Sequence, residues 1–360
     1  MDFVNSSSVR LDLPPLRTFR VPRNPTIRIP LEIRKIPLGK IFYPWKANPA
    51  IFDLSMSANF VFTFAAVYVT SVLLLNRFNA GRNYKPWSIS RTFVYRQMMT
   101  LHNAALALFS AWSLCGMLYT VYYHWLLARP ELGTASSLHL VEFLCRFDQR
   151  EYRILKPRMD GSRDGVIYIY WIFYLSKFYE VVDTFIILSR GKKSSTLQTF
   201  HHAGVILIGW VGLRYESPMA PPGATLNAFV HTLMYSYFTL QTLGISVSKP
   251  LKRALTIIQI VQFIVGLLFS SFYLFVTYKA PASMNEGVFP AGAPSESVSV
   301  FSQTQGHQYR RNDNSTMIRC LGDGEAFPLV VAGSYLLVLI YLFVRFYIKA
   351  YTVQPGKVRP

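Results

Sequence analysis

Lys177, Glu180, Asp183 and Thr184 stand at steps of three, three and one inside an apolar run, which places them on one side of a helix within two turns. Ionisable groups at membrane depth are expensive and persist where they pair or perform a task. The set reads in two ways: a structural ion pair of Lys177 with Glu180 beside helix–helix hydrogen bonds from Asp183 and Thr184, or one wall of a polar cavity. The next run opens with Gln198, His201 and His202, again on one side of a helix. A third carries Asn227, His231, Tyr235 and Phe238, and a fourth Thr256, Gln259 and Gln262 at steps of three. An unpaired polar group in hydrocarbon costs several kcal/mol. Four stripes in succession therefore argue for one shared polar interior over unrelated structural residues.

The pattern Gln-x-x-His-His is similar to the last histidine box of membrane fatty-acid desaturases, whose di-iron centres take about eight imidazole ligands. Only seven histidines occur here, at 102, 124, 139, 201, 202, 231 and 307, and only His201 and His202 are clustered. No metal and no prosthetic cofactor is expected. The three cysteines, 115, 145 and 320, form no CxxC pair, so thiol catalysis is not expected either. A neutral imidazole is then the best nucleophile available near neutral pH.

The elements that must position these groups follow from composition. The chain of 360 residues is 51% hydrophobic and only 15% charged, which leaves too little polar surface to coat a water-soluble globule. Its net charge of +19 is spread over short segments between apolar runs, unlike a nucleic-acid recognition stripe, so no nucleic-acid partner is expected. A membrane crossing takes about 20 apolar residues. Runs at 56–75, 101–127, 165–188, 200–215, 226–247, 255–276 and 327–348 predict an all-α integral membrane fold of seven transmembrane helices. The fourth is short and reads equally as a partial or tilted helix. Residues 1–55 read as an N-terminal segment outside the membrane, 56–348 as the membrane domain with a long loop at 279–326, and 349–360 as a C-terminal tail. The first 55 residues hold no apolar core of signal-peptide length, so insertion is expected to rely on the first membrane helix.

Arg77, Arg82 and Lys85, then Arg190, Lys192 and Lys193, then Lys249, Lys252 and Arg253, and finally Arg345 and Lys349 follow alternate runs, which places those loops in the cytosol. Parity then predicts a lumenal N-terminus and a cytosolic C-terminus, against which the basic N-terminal segment is the one contrary feature. Asn314 begins an Asn-Ser-Thr sequon within a predicted lumenal loop. Cys145 and Cys320 also fall in predicted lumenal loops, where an oxidising compartment permits a disulfide; two unrelated thiols are the alternative.

Taken in order, the motifs resemble the ELO family of very-long-chain and polyunsaturated fatty-acid elongases. The family pattern Lys-x-x-Glu-x-x-Asp-Thr is matched by Lys177, Glu180, Asp183 and Thr184, and its histidine box by His201 and His202. Asn-x-x-x-His-x-x-Met-Tyr is matched by Asn227, His231, Met234 and Tyr235, and Thr-x-x-Gln-x-x-Gln by Thr256, Gln259 and Gln262. The resemblance covers about residues 55–275 and the final helix by position. One departure is Gln198, where the box usually begins with His; Gln cannot titrate, and it tilts the expectation slightly toward unsaturated substrates.

The resemblance implies a multi-pass enzyme of the endoplasmic reticulum in which six helices enclose a narrow acyl-chain cavity. It implies condensation of an acyl-CoA with malonyl-CoA to give a 3-oxoacyl-CoA, CO2 and CoA. His201 is then expected to form an acyl-imidazole, with His202 as base or stabiliser of the enolate oxygen and His231 and Asn227 as further donors. The alternative has no covalent intermediate, the histidines acting only as bases and electrostatic stabilisers. Lys177, Glu180, Asp183, Thr184, Gln198, Tyr235, Gln259 and Gln262 would support them. Arg190, Lys192, Lys193, Lys249, Lys252 and Arg253 stand ready for CoA phosphates, or are an ordinary positive-inside collar. Expected partners are the bilayer, the reductases and dehydratase of the elongation cycle, and a second copy of the chain. A seven-helix transporter or receptor with a polar-lined pocket is the competing class.

Overall fold

The computed structural model describes residues 9–21, 39–128, 141, 144–145, 162–215, 217–279 and 317–352. Two short helices, α1 (Gly39–Phe42) and α2 (Pro49–Met56), precede the long ones. Asn48 starts α2 by accepting from the amides of Ala50 and Ile51, and Pro49 occupies the first turn, where its missing N–H is no loss. There follow α3 (Ala58–Gly81), α4 (Phe93–Ala128), α5 (Ser162–Glu180), α6 (Val182–Ser189), α7 (Thr196–Arg214), α8 (Ala220–Thr242), α9 (Lys249–Phe275) and α10 (Ala326–Tyr351).

Helix covers the predicted apolar runs, with three corrections. The third run is not one helix but α5 and α6, divided at Val181, where the amide of Thr184 reaches back only three residues to the Val181 carbonyl. The fourth is not partial: α7 runs for 19 residues, its first turn closed by Ser195 accepting from the amide of Gln198. The fifth begins at Ala220, because Pro221 and Pro222 are tolerated in a first turn, and it stops at Thr242, ahead of Gly244 with φ 85°.

Four stretches, Ala58–Gly81, Phe93–Tyr122, Lys249–Phe275 and Ala326–Tyr351, are long and apolar enough to cross a membrane. The helices pack α4 on α8, α8 on α9, α9 on α10, α10 on α7, α7 on α5 and α5 back on α4, which closes a ring of six. Outside it, α3 lies against α7 and α6. Close approach of α7 to its neighbours depends on three glycines: the ring of Tyr335 lies over Gly204, that of Tyr174 over Gly209 and the hydroxyl of Tyr170 over Gly212, where any β-carbon would collide.

The N-terminal segment is bound to the bundle. Trp171 donates to the Ser55 hydroxyl, Tyr174 to the Ser55 carbonyl and Trp210 to the Met56 carbonyl, while Phe52 and Met56 join the main apolar core. Earlier still, strand β1 (Val9–Leu11) pairs antiparallel with β2 (Val276–Lys279), which pairs antiparallel with β3 (Met317–Arg319). Thr277 donates to the Asp12 carboxylate at 2.6 Å, and Arg17 pairs with Asp323 at 3.1 Å. Cys145 and Cys320 form a disulfide with a Cα separation of 4.7 Å. A second apolar core lies around this bridge and contains Met219, Tyr273, Tyr278 and Leu329. Asn314, like most of the predicted 279–326 loop, lies outside the described residues.

The bridge yields a direct test. Cutting the chain at a protease site inserted near residue 300 should leave two fragments that migrate together without reductant and separate with it. In the Cys145→Ser variant they should separate in both cases, with stability lower by about 2–5 kcal/mol.

Candidate active site

A cavity runs inside the ring with an empty volume of about 980 Å3, counting the part open to the outside. Its walls come from helical spacing. Along α7 the lining residues are His201, Val205, Ile208, Gly209 and Gly212, at steps of four, three, one and three; α5 contributes Tyr170, Phe173, Tyr174 and Lys177 in the same rhythm. Successive helices alternate in direction, so Lys177, His201, Asn227, Gln262 and Tyr335 gather toward one end. Tyr170, Gly212, Met219, Ser270 and Pro328 lie toward the other. From His201 to Gly212 the helix rises about 16 Å. The result is a tunnel polar at one end and apolar along its length. Met219 belongs both to this lining and to the small core around the disulfide, so the far end abuts the sheet.

At the polar end an ion pair is fully enclosed. Lys177 Nζ lies 2.7 Å from Glu180 Oε1, and the two residues are 2% and 1% exposed. Ser176 donates to the same oxygen at 3.1 Å, and the ammonium lies 4.0 Å above the Phe173 ring. Nδ1 of His231 stands 3.4 Å from Lys177 Nζ and 3.5 Å from Glu180 Oε2, so α8 is tied to α5 through both charges.

His201 and His202 sit side by side, ring centroids 5.4 Å apart, with His231 6.4 Å from His201. The Tyr335 hydroxyl gives its proton to the backbone carbonyl of His201 at 3.1 Å, so toward Nδ1, 3.3 Å away, it can only accept. That contact suits the His201 tautomer with its proton on Nδ1 and a free lone pair on Nε2. For His202 the Gln198 amide nitrogen is 2.8 Å from Nε2 and 3.5 Å from the Thr184 hydroxyl, which itself bonds Tyr68 at 2.8 Å. Gln198 thus supplies a fixed donor, and the buried Nδ1 of His202 has no partner among the described residues. The buried side-chain oxygens of Asn227 and Gln262 also lack one and belong to cavity-lining residues.

Of the four residues expected on one face, Lys177, Glu180 and Asp183 all reach α8, the first two through His231 and the third through Tyr235, whereas Thr184 turns away from it. After the break at Val181, Asp183 meets His102 of α4 and Tyr235 of α8, while Thr184 meets Tyr68 of α3 and Gln198 of α7. The fourth stripe is also not a single row. Three residues turn a helix by about 300°, so two such steps displace Gln262 from Thr256 by about 120°. Gln262 reaches the cavity, Gln259 contacts Met234, and Thr256 bonds Tyr351. Sequence reading missed His102, Tyr68 and Tyr335, which lie outside the recognised motifs.

The basic residues mark the end of the bundle near the histidines. Arg190, Lys192 and Lys193 occupy the link from α6 to α7. There Gly191 at φ 71° lets the Lys192 amide bond Ile187 and its own amide bond Leu188, ending α6 with its backbone pressed on that of Tyr84. Lys249, Lys252 and Arg253 lie in the first turns of α9, with Arg253 bonded to Tyr347 and Lys252 6.0 Å above the Tyr237 ring. The two groups share one end of the bundle, where Tyr95 bonds Ser189 and Arg96 donates to the Thr242 carbonyl.

A mostly helical, multi-pass membrane protein with an apolar tunnel and a histidine-rich polar end is the class that fold and site define. The model of the ELO, or GNS1/SUR4, family matches residues 54–359, and the chain belongs to that family. It is 26% identical over 304 residues to very long chain fatty acid elongase 2 of Rattus norvegicus, covering 82% of this chain and 81% of that protein. To the Mus musculus protein of the same name it is 27% identical over 230 residues, 62% of this chain and 63% of that one. To fatty acid elongase sre1 of Dictyostelium discoideum it is 25% identical over 259 residues, 70% and 84% of the two chains.

Lys177→Met should destabilise the protein by about 3–5 kcal/mol, because it leaves the Glu180 carboxylate buried and unpaired. Adding Glu180→Gln should restore most of the loss. Thermal midpoints of the purified variants in detergent check both outcomes.

Proposed function

We propose that this chain is a fatty-acid elongase that condenses an acyl-CoA with malonyl-CoA. The observation that carries the reading is the tunnel itself: His201 stands where the polar end meets a long apolar bore. An acyl tail could lie along the bore with its thioester carbonyl beside the imidazole. Arg190, Lys192, Lys193, Lys249, Lys252 and Arg253 would face the CoA phosphates at the mouth.

In this scheme Nε2 of His201 attacks the thioester carbonyl, the C–S bond breaks, the acyl-imidazolium keeps its proton on Nδ1, and CoA leaves as the thiolate and takes a proton from water. Malonyl-CoA then enters and loses CO2. The electron pair of the broken C–C bond becomes an enolate, whose carbon attacks the acyl-imidazole and releases His201. The product is a 3-oxoacyl-CoA two carbons longer. The hydrogen bond that suits a His201 proton on Nδ1 supports its role as nucleophile. The unpartnered Nδ1–H of His202 and a ring N–H of His231 are the donors assigned to the developing oxyanions.

The same reading places seven helices across the endoplasmic-reticulum membrane, α5 with α6 counting as one, with the basic end cytosolic and the sheet and disulfide lumenal. Residues 1–55 and the 279–326 loop would then lie on the lumenal side, Asn314 within reach of glycosylation. The reductases and dehydratase that complete elongation, and a second copy of this chain, are the partners proposed. The apolar core at the far end of the tunnel speaks for a blind pocket and against a transporter's permeation path.

Microsomes containing the chain, supplied with labelled malonyl-CoA and a panel of saturated and unsaturated acyl-CoAs, should yield label in acyl chains two carbons longer. His201→Ala should abolish it at normal protein level. Tyr335→Phe should lower kcat by about tenfold, because the tautomer is no longer held. No incorporation from any acyl-CoA by folded wild-type protein would refute the reading.

A further inference from the structure

One buried imidazole stands outside the motifs and outside the reaction just described. His102, on α4, places Nε2 2.7 Å from Asp183 Oδ1 and Nδ1 3.0 Å from the Tyr179 hydroxyl. The Tyr179 ring covers it, centroids 5.3 Å apart, and is itself half exposed. The second oxygen of Asp183 accepts from the Tyr235 hydroxyl at 2.6 Å, and the Tyr235 ring meets that of His231 edge-on at 5.5 Å. An ionised carboxylate only accepts, so both neighbours must bring protons, His102 from Nε2 and Tyr235 from its hydroxyl. Asp183 is thereby held from α4 on one side and from α8 on the other.

The location gives this contact leverage. Asp183 lies in the first turn of α6, an eight-residue helix that follows α5 after the single residue Val181, whose backbone stays in the right-handed helical region. The joint is one tightened turn, in which the Thr184 amide bonds the Val181 carbonyl. A short charged hydrogen bond from α4 adds an anchor from outside that turn.

We propose that His102 is a positioning residue of the condensation: it fixes the Asp183 carboxylate, which fixes Tyr235, whose ring holds His231 in place. This rests on the elongase reading above. His102 touches neither substrate nor reacting atoms, so it acts on the rate of the chemical step and not on acyl-CoA binding.

The test is steady-state condensation by the full chain in membranes. His102→Ala should lower kcat by about 10- to 100-fold, the scale of a misplaced catalytic group, with KM for acyl-CoA unchanged. His102→Gln, whose amide N–H can replace the Nε2 donor, should recover most of that rate. In an Asp183→Asn background, His102→Ala should cause no further loss. Wild-type kcat in His102→Ala, a raised KM with kcat intact, or losses that multiply with Asp183→Asn would overturn the inference. Should His102→Ala fail to fold, Tyr235→Phe decides: a kcat loss at constant KM supports the relay, and wild-type kcat overturns it. Failure of the wild-type chain to condense any acyl-CoA removes both proposals, whereas active wild type with an indifferent His102 removes this one alone.

Discussion

Charge inside an apolar bundle must be compensated on the spot, and the Lys177–Glu180 pair is where this protein meets that demand. Neither group can be withdrawn to water, so each fixes the other, and His231 is drawn into the same contact from a neighbouring helix. Desolvating two ions in a medium without mobile water costs several kcal/mol per ion unless the geometry is close. A site built on such a pair is therefore rigid by necessity. The imidazoles around it inherit fixed positions without any metal-like tether.

Depth in the bundle follows from chain direction. Because neighbouring helices run in opposite senses, one polar residue near the end of one and near the start of the next arrive at the same level: Lys177 late in α5, His201 early in α7, Asn227 in α8, Gln262 in α9 and Tyr335 in α10. Each continues into an apolar face at steps of three and four. Chemistry at one end and bore along the rest are consequences of one pattern, and altering the helix register would disturb both together.

The helices and the histidine cluster were legible because helical periodicity and buried polarity are local signals. Gln198, His201 and His202 lie within five residues, and their grouping survives any tertiary arrangement. His102 and Tyr335 were not legible. Each is a single polar group on a long apolar helix, and its meaning depends on a partner at a sequence distance of 81 or 134 residues. The break at Val181 carries no Gly or Pro to announce it. Thr256 and Gln259 looked like partners of Gln262 because a step of three was read as a face, although it is a slow spiral.

The sheet at the far end joins residues that are made at very different times. Strand β1 ends at Leu11, while its partner begins at Val276. At ribosomal rates of roughly 5–20 residues per second, the first strand waits on the order of tens of seconds for the second to be synthesised. Cys145 likewise waits for Cys320. Throughout that interval α10, the sixth helix of the ring, is also still to be made, so the helices already present line an open groove and not a closed bore. Completion of the enclosure is thus a late event in biogenesis, and a chain truncated before β2 would retain all three box residues, Gln198, His201 and His202, yet lack α10 and with it one wall of the ring and Tyr335.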